Sequence, residues 1–336
     1  MKTYFVTGGA GFIGSRFVNF ILDKYDDVKI VNIDKLTYAG NPENIKNRSN
    51  DERHIFCQDD ICEEDRINEL FQLHNPDIVV NFAAESHVDR SIGQPADFIQ
   101  TDVIGTFILL EASRRHEIEK FVQISTDEVY GSTLGDPFRE TDPLMPSSPY
   151  SASKSAADRL AYSYFKTYDL PVVITRASNN YGSHQYPEKL IPLFITNAMD
   201  DKPLPLYGDG LNVRDWLYVE DHCAAVDFII SNGVDGEVYN VGGGNELTNI
   251  TITDTILELT DKSSKLVKYV DDRPGHDRRY ALDCAKLLNL GWRAETDFAD
   301  AMKNTVEWYM NNRSWWEPLK SGEYLEYYKN HYGMEL

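Results

Sequence analysis

The sequence predicts an α/β fold: a doubly wound parallel sheet in the first half of the chain and a smaller C-terminal lobe. Three observations lead there. Short apolar runs, several of them β-branched, alternate with longer amphipathic stretches across residues 1–178. A glycine-rich turn follows the first run and opens the first amphipathic stretch. After Arg176 the texture changes to polar loops carrying Gly and Pro. Strands that alternate with helices must return by crossovers, which pairs them in parallel and covers both faces of the sheet.

Taken in order, residues 4–7, 28–33, 54–58, 77–82 and 120–125 read as buried strands. Between them, residues 12–23, 64–73 and 98–114 repeat apolar positions at helical spacing. A helix over 151–168 and a strand over 171–176 close the first part. Beyond it, short strands are expected at 204–206, 215–219 and 238–241, and helices at 220–231, 250–259 and 298–311. The division falls between residues 178 and 179, with the second part, 179–336, packed over the C-terminal edge of the sheet. The strand at 238–241 is the candidate to rejoin the main sheet beside Val172. No internal repeat is evident.

At 336 residues, with 42% hydrophobic and 26% charged residues, the chain can bury a large core without staples. A net charge of -21 repels phosphate backbones and anionic lipid, so neither nucleic acid nor a membrane surface is expected as partner. Cys57, Cys62, Cys223 and Cys284 show no paired zinc spacing, and no metal is expected. The N-terminus enters a strand without a signal-like region and no apolar run has the length of a bilayer span, which points to the cytoplasm.

The turn Gly8-Gly9-Ala10-Gly11-Phe12-Ile13-Gly14 lies between a strand and a helix, the setting of a Rossmann-type dinucleotide fingerprint. Gly8, Gly11 and Gly14 allow close backbone approach, and the helix start at Phe12 and Ile13 offers free N–H groups to a pyrophosphate. Asp34 stands at the end of the second strand, where a carboxylate accepts from adenosine ribose hydroxyls and repels a 2′-phosphate. NAD is therefore favoured over NADP. Asp60 and Ile61 after the third strand, and Ala83 and Ala84 after the fourth, are candidates to flank the cofactor.

Tyr150 and Lys154 form a Y-x-x-x-K pair on one helical face. An ammonium beside a phenol favours phenolate and makes a base usable near neutrality. Thr126-Asp127-Glu128 follows the fifth strand at the carboxyl edge of the sheet. Redox chemistry at that place needs a hydroxyl donor; two further carboxyl groups can divide into a protonated acid and an ionised base.

These motifs, with the segments 7–15, 83–92, 125–131, 150–154, 179–192, 205–222 and 272–281 and the aromatic tail 315–332, closely resemble the dTDP-glucose 4,6-dehydratase family of the extended short-chain dehydrogenase/reductases. The resemblance spans nearly the whole chain. It implies that Tyr150, assisted by Lys154, removes the proton of the glucose 4-hydroxyl as hydride passes to NAD. Glu128 then abstracts the C5 proton while Asp127 protonates the departing 6-hydroxyl, with Thr126 orienting the sugar. It implies substrate contacts from His87, Asn179, Lys189, Leu190, Pro205, Tyr207, Arg214, Asn249, Arg273 and His276, the basic members gathering against the chain's acidity. It also implies a homodimer built through the helices at 98–114 and 151–168. The product would feed rhamnose or another deoxysugar. Where the family usually carries Pro after Asn180-Tyr181-Gly182, this chain has Ser183-His184.

Three other readings compete. A UDP-glucose 4,6-dehydratase differs by one methyl group in a base pocket, worth only about 1–3 kcal/mol of discrimination. A sugar-nucleotide 4-epimerase would leave Asp127 and Glu128 without work. A non-catalytic NAD-binding sensor would need none of the five residues in this arrangement.

Overall fold

A computed structural model of the chain describes residues 1–272 and 275–334. In the first half, β1 (Lys2–Thr7), α1 (Phe12–Lys24), β2 (Val28–Ile33), a 3-10 segment (Pro42–Arg48), β3 (His54–Cys57), α2 (Glu64–His74) and β4 (Ile78–Asn81) follow one another. Next come α3 (Val88–Gly93), α4 (Pro95–Phe98), a π-helical stretch (Ile99–Gly105), α5 (Thr106–Arg115), β5 (Lys120–Thr126), a 3-10 turn (Asp127–Tyr130), α6 (Pro149–Tyr168) and β6 (Val172–Ala177). The second half holds β7 (Asn179–Tyr181), α7 (Leu190–Met199), β8 (Leu204–Tyr207), β9 (Val213–Tyr218), α8 (Val219–Asn232), β10 (Val238–Val241), β11 (Glu246–Thr248) and α9 (Asn249–Leu259). It ends with β12 (Val267–Val270), α10 (Ala285–Leu290), α11 (Phe298–Asn311), α12 (Arg313–Trp316) and α13 (Glu323–Tyr332).

Seven parallel strands form the main sheet in the order β10-β6-β5-β4-β1-β2-β3. The chain runs outward from β1 to β3 and then returns past β1 to β4, so the strand order reverses between β1 and β4. Loops leaving the carboxyl ends of these two strands diverge there and open a crevice. β10 pairs with β6 in the register Val238↔Ile174, returning the later half of the chain to the sheet. Strand alternation divides the core: Tyr4 and Val6 pack with α1 and α8 on one face, and Phe5 with α2, α5 and α6 on the other. A third core joins α7, α9 and α11 to Trp316, Tyr324 and Tyr328 of the tail.

Two departures from the expected elements are instructive. Helix α7, LIPLFITNAM, is buried from Ile191 to Ala198, so it lacks the polar face that would mark a helix in the sequence. Its Pro192 lies in the first turn, where backbone N–H groups have no intrahelical partner to lose. The expected helix 98–114 is interrupted by the π-helical stretch, on which Asp102 and Gly105 are buried. A Cβ on Gly105 would stand 2.4 Å from Ile61 Cδ1, so glycine is what lets this helix close on the loop after β3.

Candidate active site

The turn after β1 is shaped by its glycines. Gly8 has φ +66°, and a Cβ there would meet Ala83 N at 2.7 Å; one on Gly14 would meet Gly8 O at 2.3 Å. Any side chain would fill the cradle between this turn, the end of β4 and the start of α1. Asp34 closes the cradle from β2. Its carboxylate accepts from Ala10 N–H at 2.9 Å and Leu36 N–H at 2.8 Å, and burial raises its pKa against these bonds. Ala10 O in turn accepts from Asn44 Nδ2 at 2.9 Å, and Asn44 Oδ1 accepts from Trp315 Nε1 at 2.9 Å. The tail thereby braces the glycine turn.

Beyond the cradle, the cavity runs under the end of β5. Thr126 caps the 3-10 turn, its Oγ1 accepting from Glu128 N–H at 3.3 Å and donating to Asp127 Oδ1 at 3.2 Å. Asp127 is 2% exposed, and burial together with the neighbouring Glu128 pushes its carboxyl well above the usual range, with Arg214 the chief opposing charge. Its surroundings favour the neutral acid over the carboxylate. Tyr150 and Lys154 face the same cavity from α6, whose start is fixed by the Ser148–Ser151 capping box and Pro149. Lys154 Nζ donates to Ile124 O at 2.7 Å, and burial lowers its pKa. Tyr150 differs from the expected easily ionised phenol: burial, Glu128, Asp102 and Asp127 push it well above 10, with a Thr126 hydrogen bond opposing.

The structure brings together in one cavity Gly8, Gly11, Phe12, Ile13, Gly14, Asp34, Asp60, Ile61, Ala83, Ala84, Thr126, Asp127, Glu128, Tyr150, Lys154, Asn179 and Lys189. Asp60 pairs with Lys35 at 3.5 Å. Lys189 Nζ donates to Ser86 O at 2.5 Å. The remaining expected substrate residues, His87, Leu190, Pro205, Tyr207, Arg214, Asn249 and His276, are not among its walls. Several of these cluster beside it. Tyr207 reaches Asp89 at 3.3 Å and packs edge-on against His276, which bonds Asp272 at 2.5 Å. Arg214 is 5% exposed; it donates to the carbonyls of Val213 and Asp277 and lies 4.2 Å over the Tyr280 ring. Arg273 lies outside the described residues. His184, at φ +66°, packs its ring 4.3 Å from that of Trp308 and 5.5 Å from that of Trp315, so the loop without Pro is held by aromatic packing.

Residues that sequence reasoning passed over also line the cavity: Ser125, Asn180, Gln185, Glu188 and His222. His222 is fully buried. Asn180 donates its amide to Ser178 O at 2.9 Å, so its Oδ1 must accept from His222 Nδ1, also at 2.9 Å. Nε2 is then a bare acceptor, and burial lowers this imidazole to about 4. Ser125 Oγ, Asp127 Oδ2, Asn179 Oδ1 and Gln185 Oε1 join it as buried polar atoms without a partner among the described residues, all on one cavity. Buried polar atoms left unpaired cost about 1–3 kcal/mol each, so their convergence marks a place built for a polar ligand. A dinucleotide fits this set: a glycine cradle, an open helix N-terminus and a carboxylate on β2. Among the described residues no His, Cys, Asp and Glu cluster suits a metal ion, and no helix is long and apolar enough to cross a membrane.

Fold and site together define an extended short-chain dehydrogenase/reductase. The profile of the family described as GDP-mannose 4,6 dehydratase matches residues 5–305. The dTDP-glucose 4,6-dehydratase of Neisseria meningitidis is 48% identical, the match covering 96% of this chain and 98% of that protein. Crystal structures of dTDP-glucose 4,6-dehydratases from Bacillus anthracis, in complex with NAD, and Streptomyces venezuelae, with NAD bound, superpose with TM-scores of 0.90 and 0.92. They are 48% and 47% identical, and each match covers 95% of this chain and 100% of the other. The chain belongs to the dTDP-glucose 4,6-dehydratase family.

Proposed function

We propose that this protein is an NAD-dependent dTDP-glucose 4,6-dehydratase, forming dTDP-4-keto-6-deoxyglucose and water with no net redox change. The observation that carries the reading is the meeting of Thr126, Asp127, Glu128, Tyr150 and Lys154 on the same cavity as the glycine cradle and Asp34. NAD, held by the cradle, Asp34 and the walls from Asp60, Ile61, Ala83 and Ala84, supplies a hydride acceptor that later becomes the donor.

Tyr150 takes the proton of the 4-hydroxyl as C4 loses hydride, and Thr126 orients the 4-oxygen. Lys154, held on the Ile124 carbonyl, supports the phenolate. The 4-ketone acidifies C5–H, Glu128 removes that proton, and Asp127 gives its proton to the 6-hydroxyl, which leaves as water. Glu128 gives its proton back to C5 as C6 accepts the hydride that C4 lost, and the proton gained by Tyr150 replaces, through solvent, the one that Asp127 gave up. Elimination needs an acid and a base at adjacent carbons together, and Asp127, whose carboxyl burial and Glu128 push upward, is suited to the acid. Asn179 and Lys189 on the cavity wall, together with His87, Leu190, Pro205, Tyr207, Arg214, Asn249, Arg273 and His276, form the substrate side. Residues 1–178 carry the cofactor and 179–336 mainly the sugar nucleotide.

A homodimer through the helices at 98–114 and 151–168 is part of the reading. Ile99, Ile104 and Phe107 on the first and Tyr168 on the second are 39–52% exposed, an apolar surface that a second copy would cover. Light scattering at the monomer mass alone would refute the dimer. For the activity, the purified protein is incubated separately with dTDP-glucose and UDP-glucose. A product lighter by one water, with the alkaline absorbance of a 4-keto sugar and no accumulated NADH, is expected from the first. Preference for the second would make it a UDP-glucose enzyme, and an isomer of unchanged mass an epimerase.

A further inference from the structure

Asp102 has no part in the chemistry above, yet it is 1% exposed and lies against the catalytic helix. It sits in the π-helical stretch, a local widening that shifts side chains out of the α-helical register. Its Oδ1 accepts from Glu85 N–H at 3.0 Å, in the loop after β4. Its Oδ2 lies 2.5 Å from Ser153 Oγ on α6. One carboxyl therefore joins three segments around the cavity.

The Ser153 hydroxyl has a single proton and two acceptors, Asp102 Oδ2 and, at 2.8 Å, the carbonyl of Tyr150. With Asp102 ionised, Ser153 donates to Oδ2. With Asp102 protonated, Oδ2–H donates to Ser153, and the serine proton turns to the Tyr150 carbonyl. Burial raises Asp102 to about 6, with Lys154 the chief opposing charge, so both states lie within reach of ordinary pH. The charged groups around it are Lys154 and Tyr150 on α6, Glu85 after β4, and Lys35 after β2, whose Nζ bonds Thr101 Oγ1 at 3.2 Å. An ionised Asp102 opposes the phenolate of Tyr150 and supports the ammonium of Lys154.

We propose that Asp102 is a positioning residue for the Tyr150–Lys154 pair: its carboxyl ties the π-helical stretch and the Glu85 loop to Ser153 of α6, and its charge faces both members. The proposal rests on the reading of Tyr150 as base and Lys154 as its partner.

Two variants separate the tie from the charge. Asp102→Asn keeps an acceptor for Glu85 N–H and an amide donor for Ser153, while removing the charge. Ser153→Ala cuts the tie and leaves the charge. Both are compared with the parent in the presence of NAD by kcat/KM against pH. They are also compared by NMR titration of 13Cζ-labelled tyrosine, the Tyr150 resonance being assigned by its loss in Tyr150→Phe. In Asp102→Asn the Tyr150 midpoint and the matching limb of kcat/KM are expected to move down by roughly half a unit or more. In Ser153→Ala kcat is expected to fall about tenfold with the midpoint in place. An unmoved or raised midpoint in Asp102→Asn, or parental kcat in Ser153→Ala, overturns the proposal. Should Asp102→Asn fail to fold, Ser153→Ala decides alone. A parent that does not turn over dTDP-glucose removes the functional reading, while the tyrosine resonance still tests the effect of Asp102.

Discussion

Replacing Asp127 with Asn isolates the elimination step. The side chains are isosteric; Asn keeps Oδ1 for the 3.2 Å bond from Thr126 and puts an N–H donor where the neutral acid had O–H. Little charge is lost, because burial and Glu128 raise the Asp127 carboxyl well above the usual range and so favour its neutral form. Stability should change by about 1 kcal/mol or less. Turnover should not survive so well, since an amide cannot protonate the departing hydroxyl. Loss of a general acid costs typically 10²–10⁴ in rate, or about 2.7–5.5 kcal/mol of barrier.

The block should fall after the first oxidation. Asp127→Asn with dTDP-glucose is expected to accumulate the near-ultraviolet absorbance of NADH, which the parent does not. In heavy water, Glu128 can still exchange the C5 proton of the trapped ketone, so recovered substrate should carry deuterium at C5. Glu128→Gln should accumulate NADH without that exchange. A kcat within tenfold of the parent would refute Asp127 as the acid, and an inactive variant showing no NADH would place Asp127 in the first oxidation instead.

Other perturbations test the frame around this chemistry. Gly14→Ala would drive a Cβ to 2.3 Å from Gly8 O, and a loss of NAD affinity of about a hundredfold is expected by calorimetry. Arg176, 1% exposed, bonds Asp158 at 2.8 and 3.1 Å behind the site and also reaches Tyr130 OH at 2.7 Å; Arg176→Met, which leaves Asp158 only its Arg159 partner at 2.8 Å, should cost about 1–3 kcal/mol in denaturant unfolding. His222 is neutral in the fold down to about pH 4 but titrates at the ordinary value of 6.5 when unfolded. The unfolded chain binds the extra proton in that window, so stability contributed by His222 is complete above pH 6.5 and lost as pH falls toward 4, by up to about 3 kcal/mol. His222→Gln should flatten that part of the stability profile, and an unchanged acid limb would remove His222 as a source.

The main sheet was legible because strands buried on both faces write themselves as continuous β-branched runs: VKIVNI and VYNV fall where the sequence places strands. Helix α1 and α11 were legible for the opposite reason, a single apolar face. Helix α7 was hidden because burial on all sides erases its period. The break at Ile99–Gly105 was hidden because π-helical spacing depends on what Asp102 and Gly105 meet across the fold: Glu85 and Ser153 for one, Ile61 for the other. None of these three partners is near in sequence.

The same distinction separates the residues of the site. Motif residues were readable since their spacing alone sets their geometry: a turn, one helical face, the end of a strand. Gln185 and His222 have no such spacing, and reach the cavity only because β7 pairs with β9 and α8 follows directly. Proton inventory was the least readable property. Sequence spacing suggests that Lys154 alone sets Tyr150, whereas the folded site surrounds the phenol with Glu128, Asp102 and Asp127 and buries it. Burial thus favours the uncharged form of the acid, the phenol and the lysine alike, against the charge that these polar residues suggest. A cationic ring placed beside Tyr150 would reverse the balance, favouring phenolate. The base would then be armed by the cofactor, and the same burial that silences Tyr150 without it keeps Asp127 ready as an acid.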